Sequence, residues 1–362
     1  MRVLCALGLL LCLLASPAYA GKTYTFNSQF YVITTDLTGP IAQRIAGNLD
    51  AIYRVYRDYF SGITIQQKLA VYLYASRQDY LTFVNQTAGA TPNKWNPAVF
   101  FEKDGWLVTV ACVEDEQSLT SLLTMMQHEG MHQFLQARFG KTVPIWANEG
   151  LATYFEHMML GKNGVLTGLV PFSSYDPIQA AVTHGTYLPF ERLMTLSNAD
   201  WATLNNAGSA AAQLIYSEAW SIIYFCHHYD RGQYRTAFIN YVLKINQGLA
   251  PAQAFQEAFG TDYAMLEGIW KQYVLRLRPD LSPVELLGLA RSVPPSRSTK
   301  ELVFLPPGWN ARDKSFVVRV AVLPVSQLGL NPDLIAFNPH CTLRLTWHID
   351  AQGNQLEQFI YE

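Results

Sequence analysis

The chain has 362 residues, of which 50% are hydrophobic, 13% aromatic and 15% charged, and its formal net charge is −2. That is enough for one large domain or two medium ones with a sizeable core, and it excludes a disordered chain. The near-neutral balance, with no run of Lys or Arg, excludes the electrostatic footprint of a nucleic-acid binder. Five cysteines are too few for a fold of this length built on disulfides.

Residues 1–20, MRVLCALGLLLCLLASPAYA, join a basic Arg2, an apolar run from Val3 to Leu14 and the small-x-small stretch Ala18-Tyr19-Ala20. This is the three-part pattern of a secretory signal peptide cleaved before Gly21. The run is short for a bilayer span, and no later stretch is long and apolar enough for one. The expectation is an exported protein, periplasmic or secreted, with no stable membrane insertion after signal cleavage. Cys5 and Cys12 leave with the signal. Cys112, Cys226 and Cys341 remain, either as one bridged pair with a thiol left over or as three buried thiols.

Residues 24–34 alternate and are rich in aromatic and β-branched side chains, which predicts a strand. Ile41, Ile45, Leu49, Ile52, Tyr53 and Tyr56 recur at a helical period across 40–60. A buried strand over 67–74 and a short helix over 76–85 follow. Strands from Trp95 to Phe101 and from Trp106 to Val113, turning at Lys103-Asp104-Gly105, complete a mixed α/β layer. From Gln117 the pattern is helical, over 117–139, 147–160, 209–229, 233–247, 250–259 and 262–277. The stretch 161–208, rich in Gly, Pro, Ser and Asn, reads as irregular, the kind of segment that walls a cleft. Prolines at 279, 283, 294 and 295 mark a linker, and β-like runs follow at 301–305, 316–323, 342–349 and 356–361. The expected plan is an α+β protein: a signal peptide at 1–20, a main domain at 21–279, and a linker with a small β-rich module at 280–362. Within the main domain, 21–139 forms the α/β layer plus one long helix and 140–279 the helical part.

Chemistry concentrates at His128-Glu129-Gly130-Met131-His132. Two histidines four apart on a helix lie about 40° apart around the axis and about 6 Å along it, so both imidazoles reach one ion. Glu129 lies about 100° round from His128, placed to touch a water on that ion without ligating it. Leu119, Leu122, Leu123, Met126, Gly130, Phe134 and Ala137 make one apolar stripe, and the histidines point roughly the opposite way beside Met125, Leu135 and Phe139. A helix apolar on two sides is sandwiched, so the histidines line an internal cleft, where buried imidazoles need partners. Gly140 and Pro144 then end the helix, and a second begins around Ala147-Asn148-Glu149. The short connection brings Glu149 back to the histidines as a third ligand. Two imidazoles and a carboxylate with one position open suit Zn2+. Glu156 shares the face of Glu149 and is placed to accept the second ring N–H of a ligating histidine.

The run HEGMHQFL followed by P-x-W-A-N-E-G-L-A-T-Y-F-E resembles the gluzincin metallopeptidases, the thermolysin and aminopeptidase N groups among them. It is most similar to the smaller peptidase-MA-like domains of bacterial exported proteins, across about residues 24–275. The resemblance implies a zincin-like fold, with zinc held by His128, His132 and Glu149 and with Glu129 as general base. It implies that the strand from Trp106 to Val113 pairs with the substrate backbone. It also offers Tyr216, on a later helix, as the donor to the oxyanion. No G-A-M-E-N-like exopeptidase motif is present, and Thr153 stands where the thermolysin group has a supporting aspartate.

The expected function is therefore zinc-dependent hydrolysis of peptide bonds, with a peptide or protein substrate and no nucleic-acid partner. The competing classes are a catalytically inactive binding or scaffold protein of the same fold and a zinc amidase acting on a non-peptide amide. His157, His184, His227, His228, His340 and His348 read as structural or surface groups; His227 and His228 are adjacent and diverge on a helix. Asn85-Gln86-Thr87 fits a glycosylation sequon.

Overall fold

The computed structural model describes residues 23–88, 97–113, 119–161, 164–277, 298–303, 316–324, 342–349 and 355–361. The signal-like segment, the linker over 280–297, Trp95 and His340 lie outside them. The chain opens with β1 (Tyr24–Asn27), β2 (Tyr31–Thr35), α1 (Gly39–Tyr59), β3 (Leu69–Tyr74), α2 (Arg77–Ala88), β4 (Ala98–Lys103), β5 (Trp106–Cys112) and α3 (Leu119–Phe139). The five strands form one sheet in the order β1-β2-β3-β5-β4. β2, β3 and β5 are parallel, and β1 and β4 are antiparallel edges.

Parallel strands covered on both faces read as unbroken apolar runs, which explains LAVYLY and WLVTVAC. Leu69, Val71 and Leu73 enter the main core with Ile45 and Leu49 of α1 and Phe134 of α3. Tyr74, Val108, Val110 and Cys112 pack on the other side with Tyr80 and Val84 of α2. Lys103 pairs with Trp106 across a two-residue turn. Asp104 and Gly105 both have positive φ there, as such a turn demands. The single strand expected over 24–34 is instead two, because Asp50 of α1 captures the chain between them. Its carboxylate accepts from Ser28 Oγ at 2.8 Å and from the amides of Gln29 and Phe30 at 3.0 Å each.

α3 is fastened to this layer by two polar side chains as well as by its apolar stripe. Gln133 Nε2 donates to the carbonyls of Ala70 (2.8 Å) and Leu107 (2.9 Å), so one amide ties the helix to both β3 and β5. The Tyr56 hydroxyl of α1 donates to the Gln127 carbonyl at 2.6 Å.

The helical part holds α4 (Ile145–Glu156), β6 (Met159–Gly161), β7 (Gly164–Leu166), α5 (Phe172–His184), α6 (Phe190–Met194), α7 (Asn198–Asn205), α8 (Ser209–His228), α9 (Arg235–Asn246), α10 (Pro251–Phe259) and α11 (Tyr263–Val274). The stretch 161–208 is thus largely ordered rather than irregular. Pro177 sits inside α5, where it removes the bond to the carbonyl four residues back. Gln213 Nε2 reaches that carbonyl, on Ser173, at 3.1 Å and replaces the missing donor. α7 starts on a reciprocal cap between Ser197 and Asp200. Strands β8 (Ser298–Val303), β9 (Phe316–Pro324), β10 (Thr342–Ile349) and β11 (Gln355–Tyr361) fall on the β-like runs read from the tail. They join β6 and β7 in a second sheet of order β7-β6-β11-β10-β9-β8. Cys112 and Cys226 are buried and not bridged to each other, and Cys341 lies outside the described residues. Among those residues no helix is long and apolar enough to cross a membrane.

α4 packs closely on α8 at Gly150. A Cβ there would meet the Ala219 carbonyl oxygen at 2.7 Å and Ile223 Cγ1 at 2.9 Å. Gly150→Ala must push the helices apart, and we expect a loss of about 1–3 kcal/mol in thermal or denaturant unfolding. Gly130→Ala, whose Cβ would touch only the Tyr56 ring at 3.6 Å or beyond, should be neutral or stabilising.

On α8, Glu218 is fully buried, with one oxygen accepting from the Leu188 amide at 3.1 Å and the other without a partner. Burial, aided by the charge of Glu267, raises its pKa from 4.5 to about 8 against the Leu188 bond. The native state therefore keeps a proton that the unfolded chain releases near 4.5. Stability falls as pH rises through that window, by at most about 1.4 kcal/mol per unit. Glu218→Gln should flatten this slope in unfolding measured from pH 4.5 to 8.

Candidate metal centre

The site lies where α3, α4 and α8 meet. α3 carries His128, Glu129 and His132. Gly140, at φ +63°, turns the chain, and α4 begins at Ile145 behind Pro144, two residues earlier than the sequence pattern suggested. Glu149 consequently sits in the second turn of α4 rather than the first. It still faces α3: its Oε2 lies 3.5 Å from His128 Nε2 and 3.5 Å from His132 Nε2. The three ligand atoms lie within 4.8 Å of one another, and the group could hold a metal ion.

Two observations test that fit. Glu149 Oε2 is buried and has no hydrogen-bond partner, although an unpaired buried carboxylate oxygen is costly. Ligands about 2.1 Å from a tetrahedral ion stand about 3.4 Å apart, close to the two 3.5 Å separations. The far sides of both imidazoles are occupied. His128 Nδ1 lies 2.6 Å from Glu156 Oε2 and His132 Nδ1 lies 2.7 Å from Asn148 Oδ1. Both partners are acceptors here, so each Nδ1 carries a proton and each Nε2 is the ring nitrogen turned toward Glu149.

Burial would raise the Glu149 pKa, but the charge of His132 and the close approach of both imidazoles overcome it and hold Glu149 well below the ordinary carboxyl value. Burial likewise opposes charge on His128 and His132. Contacts with Glu149 and, for His128, Glu156 outweigh it, so both are raised.

Glu129 stands beside this group. Its Oε2 accepts from the Phe100 amide at 2.8 Å, and burial raises its pKa against the nearby histidine charges. Tyr216 of α8 is brought in as well. Its ring lies 6.4 Å from that of His128 and 5.4 Å, edge-on, from Trp201. Burial and then the charge of Glu149 raise its pKa, which keeps the phenol protonated. All six expected residues, His128, Glu129, His132, Glu149, Glu156 and Tyr216, therefore share one neighbourhood.

One placement differs from the expectation. The strand at Trp106–Val113 is not a sheet edge, because β5 is paired with β3 on one side and β4 on the other. The tight hairpin folds β4 to the outside, so β4 is the edge, and its Phe100 amide faces Glu129. Asn148 is a contact that sequence reasoning overlooked, although its position next to Glu149 was a usable signal. Of the other histidines, His184 is exposed and bonds the Ala180 carbonyl at 2.8 Å. His227 stacks on Tyr154, and His228 bonds the Tyr154 hydroxyl at 3.0 Å. Both have pKa values lowered, chiefly by burial. Asn85 is exposed on α2.

Residues 122–247 match a family described as a protein of unknown function (DUF1570). That span contains every residue named in the site except Phe100. No curated protein matches the chain.

The arrangement predicts that the protein takes up one divalent metal ion per chain. His128→Ala, His132→Ala and Glu149→Ala should each lose stoichiometric uptake by metal analysis. Asn148→Ala should retain the metal but weaken it by about 10- to 100-fold in chelator competition.

Proposed function

We propose that the protein is a zinc-dependent hydrolase of peptide bonds with a zincin-like fold, exported by way of residues 1–20. The observation that carries this reading is the place of Glu129. It is a third half-buried carboxyl beside Glu149 and Glu156, it pairs with neither imidazole, and it is held by the Phe100 amide at 2.8 Å. A structural site gains nothing from it, since structural zinc is normally closed by four protein ligands and here three converge.

Zinc suits two imidazoles and a carboxylate, and His128, His132 and Glu149 would hold it. Bound there, it would supply Lewis acidity, polarising a carbonyl and lowering the pKa of water from 15.7 to about 7. Glu129 takes the proton of the attacking water and passes it to the nitrogen that leaves. Its raised pKa suits both transfers. The Tyr216 hydroxyl donates to the carbonyl oxygen as negative charge develops on it. Glu156 and Asn148 hold the imidazole rings in the tautomer that faces Glu149. The outer edge of β4 offers main-chain groups for pairing with an extended peptide, whose scissile bond would then lie over Glu129.

The test is a peptide-library cleavage screen with and without a chelator, followed by Glu129→Gln. The variant should bind zinc at wild-type stoichiometry and lose at least about 100-fold in turnover. Full zinc with unchanged turnover would end the assignment of Glu129. A protein that holds zinc and cleaves only non-peptide amides is an amidase; one that cleaves neither is a binding protein on this scaffold.

A further inference from the structure

Glu156 is an unexpected choice of partner for His128. It is the last residue of α4, where the helix dipole presents its negative end and disfavours a carboxylate. Its side chain also lacks a following helical turn to lean on. Thr153, one turn earlier on the same face, is buried with its hydroxyl unpartnered and supplies no acid. Two residues of α3 meet this awkward helix end. With its amide nitrogen turned inward, Gln127 donates to the carbonyls of Phe155 (3.1 Å) and Glu156 (2.7 Å). The imidazole of its neighbour, His128, takes Glu156 Oε2 at 2.6 Å.

The other oxygen, Glu156 Oε1, faces His157. That imidazole is buried, and its Nε2 lies 3.1 Å away as an ion-pair contact rather than an aligned hydrogen bond. Neither ring nitrogen of His157 has a hydrogen-bond partner of its own. A buried imidazole costs free energy unless its polar atoms are used, and Glu156 is the group it touches. We propose that His157 is a positioning residue of the metal centre: it pins Glu156 from behind, and through Glu156 fixes the orientation of the His128 imidazole. The inference rests on the reading of His128, His132 and Glu149 as a zinc site. A carboxylate contacted from both sides is restrained in its rotation, and so is the His128 imidazole that it holds.

The test uses zinc affinity of the full mature protein in chelator competition, with unfolding of the zinc-free protein followed in parallel. His157→Phe keeps the ring and removes the donor, and it should weaken zinc about tenfold. His157→Gln returns an N–H near the position of Nε2 and should recover most of that loss. In a Glu156→Gln background, His157→Phe should have little further effect. A purely structural role would make Phe and Gln alike or make the two substitutions additive, and either result overturns the proposal. If His157→Phe does not fold, imidazole nitrogen NMR of the zinc-loaded protein decides. The proposal requires a proton on His157 Nε2 whose resonance moves in Glu156→Gln, and a resonance that does not move rejects it. A wild-type protein that takes up no zinc would instead defeat the metal-site reading itself, whatever His157 does.

Discussion

A buried carboxylate oxygen with no hydrogen bond, at 3.5 Å from each of two imidazole nitrogens, is the constraint that organises this protein. Taking a lone charge out of water costs several kcal/mol even after relaxation. Here the compensation is mutual: Glu149 is held ionised, and His128 and His132 are held toward their protonated forms. Two protons can balance the three side chains, and a divalent ion at the same point could do so as well. Exchange of protons for metal is the coupling expected when ligands must be deprotonated to bind.

That balance survives only if α3 and α4 keep their spacing, and the surrounding fold is a set of restraints on it. Gln133 ties α3 to two neighbouring strands, and Tyr56 ties it to α1. Gly150 lets α4 settle onto α8 at a distance that no side chain would permit. Phe100 on the edge strand takes up Glu129, so the sheet contributes to the site through a single amide. Loosening any of these contacts would move one carboxylate relative to two imidazoles, and electrostatic balance in a buried site is steep in distance.

Local chemistry was legible in the sequence and long-range chemistry was not. The spacing of His128 and His132, the return of Glu149 and the shared face of Glu156 follow from helix geometry, which the chain carries within thirty residues. The strands of the first layer were visible as apolar runs for the same reason. The division between β1 and β2 was hidden because its cause, Asp50, lies about twenty residues away in another element. α5 was hidden because Pro177 argues against a helix until Gln213 supplies the donor that Ser173 has lost. Sheet order was hidden too: β5 follows β4 in the chain yet inserts inside it, and only the fold decides which strand becomes the edge. His157 looked like a spare histidine because its partner is its own neighbour at a helix end, where side-chain direction is not set by periodicity.

The two imidazoles are supported unequally, and this polarises the site. His132 leans on the neutral amide of Asn148, whereas His128 leans on the Glu156 carboxylate, which its surroundings hold ionised. A charged acceptor behind a ring makes the opposite nitrogen the more basic. Tyr216 stands against His128, not His132, with Trp201 packed edge-on behind the phenol. Glu129, in contrast, is held from the side of the sheet by the Phe100 amide. The phenol and the Glu129 carboxyl thus stand on different helices, α8 and α3, and burial raises the pKa of both. The acid behind His128 is the last residue of α4, a position in which the helix alone does not support a carboxylate.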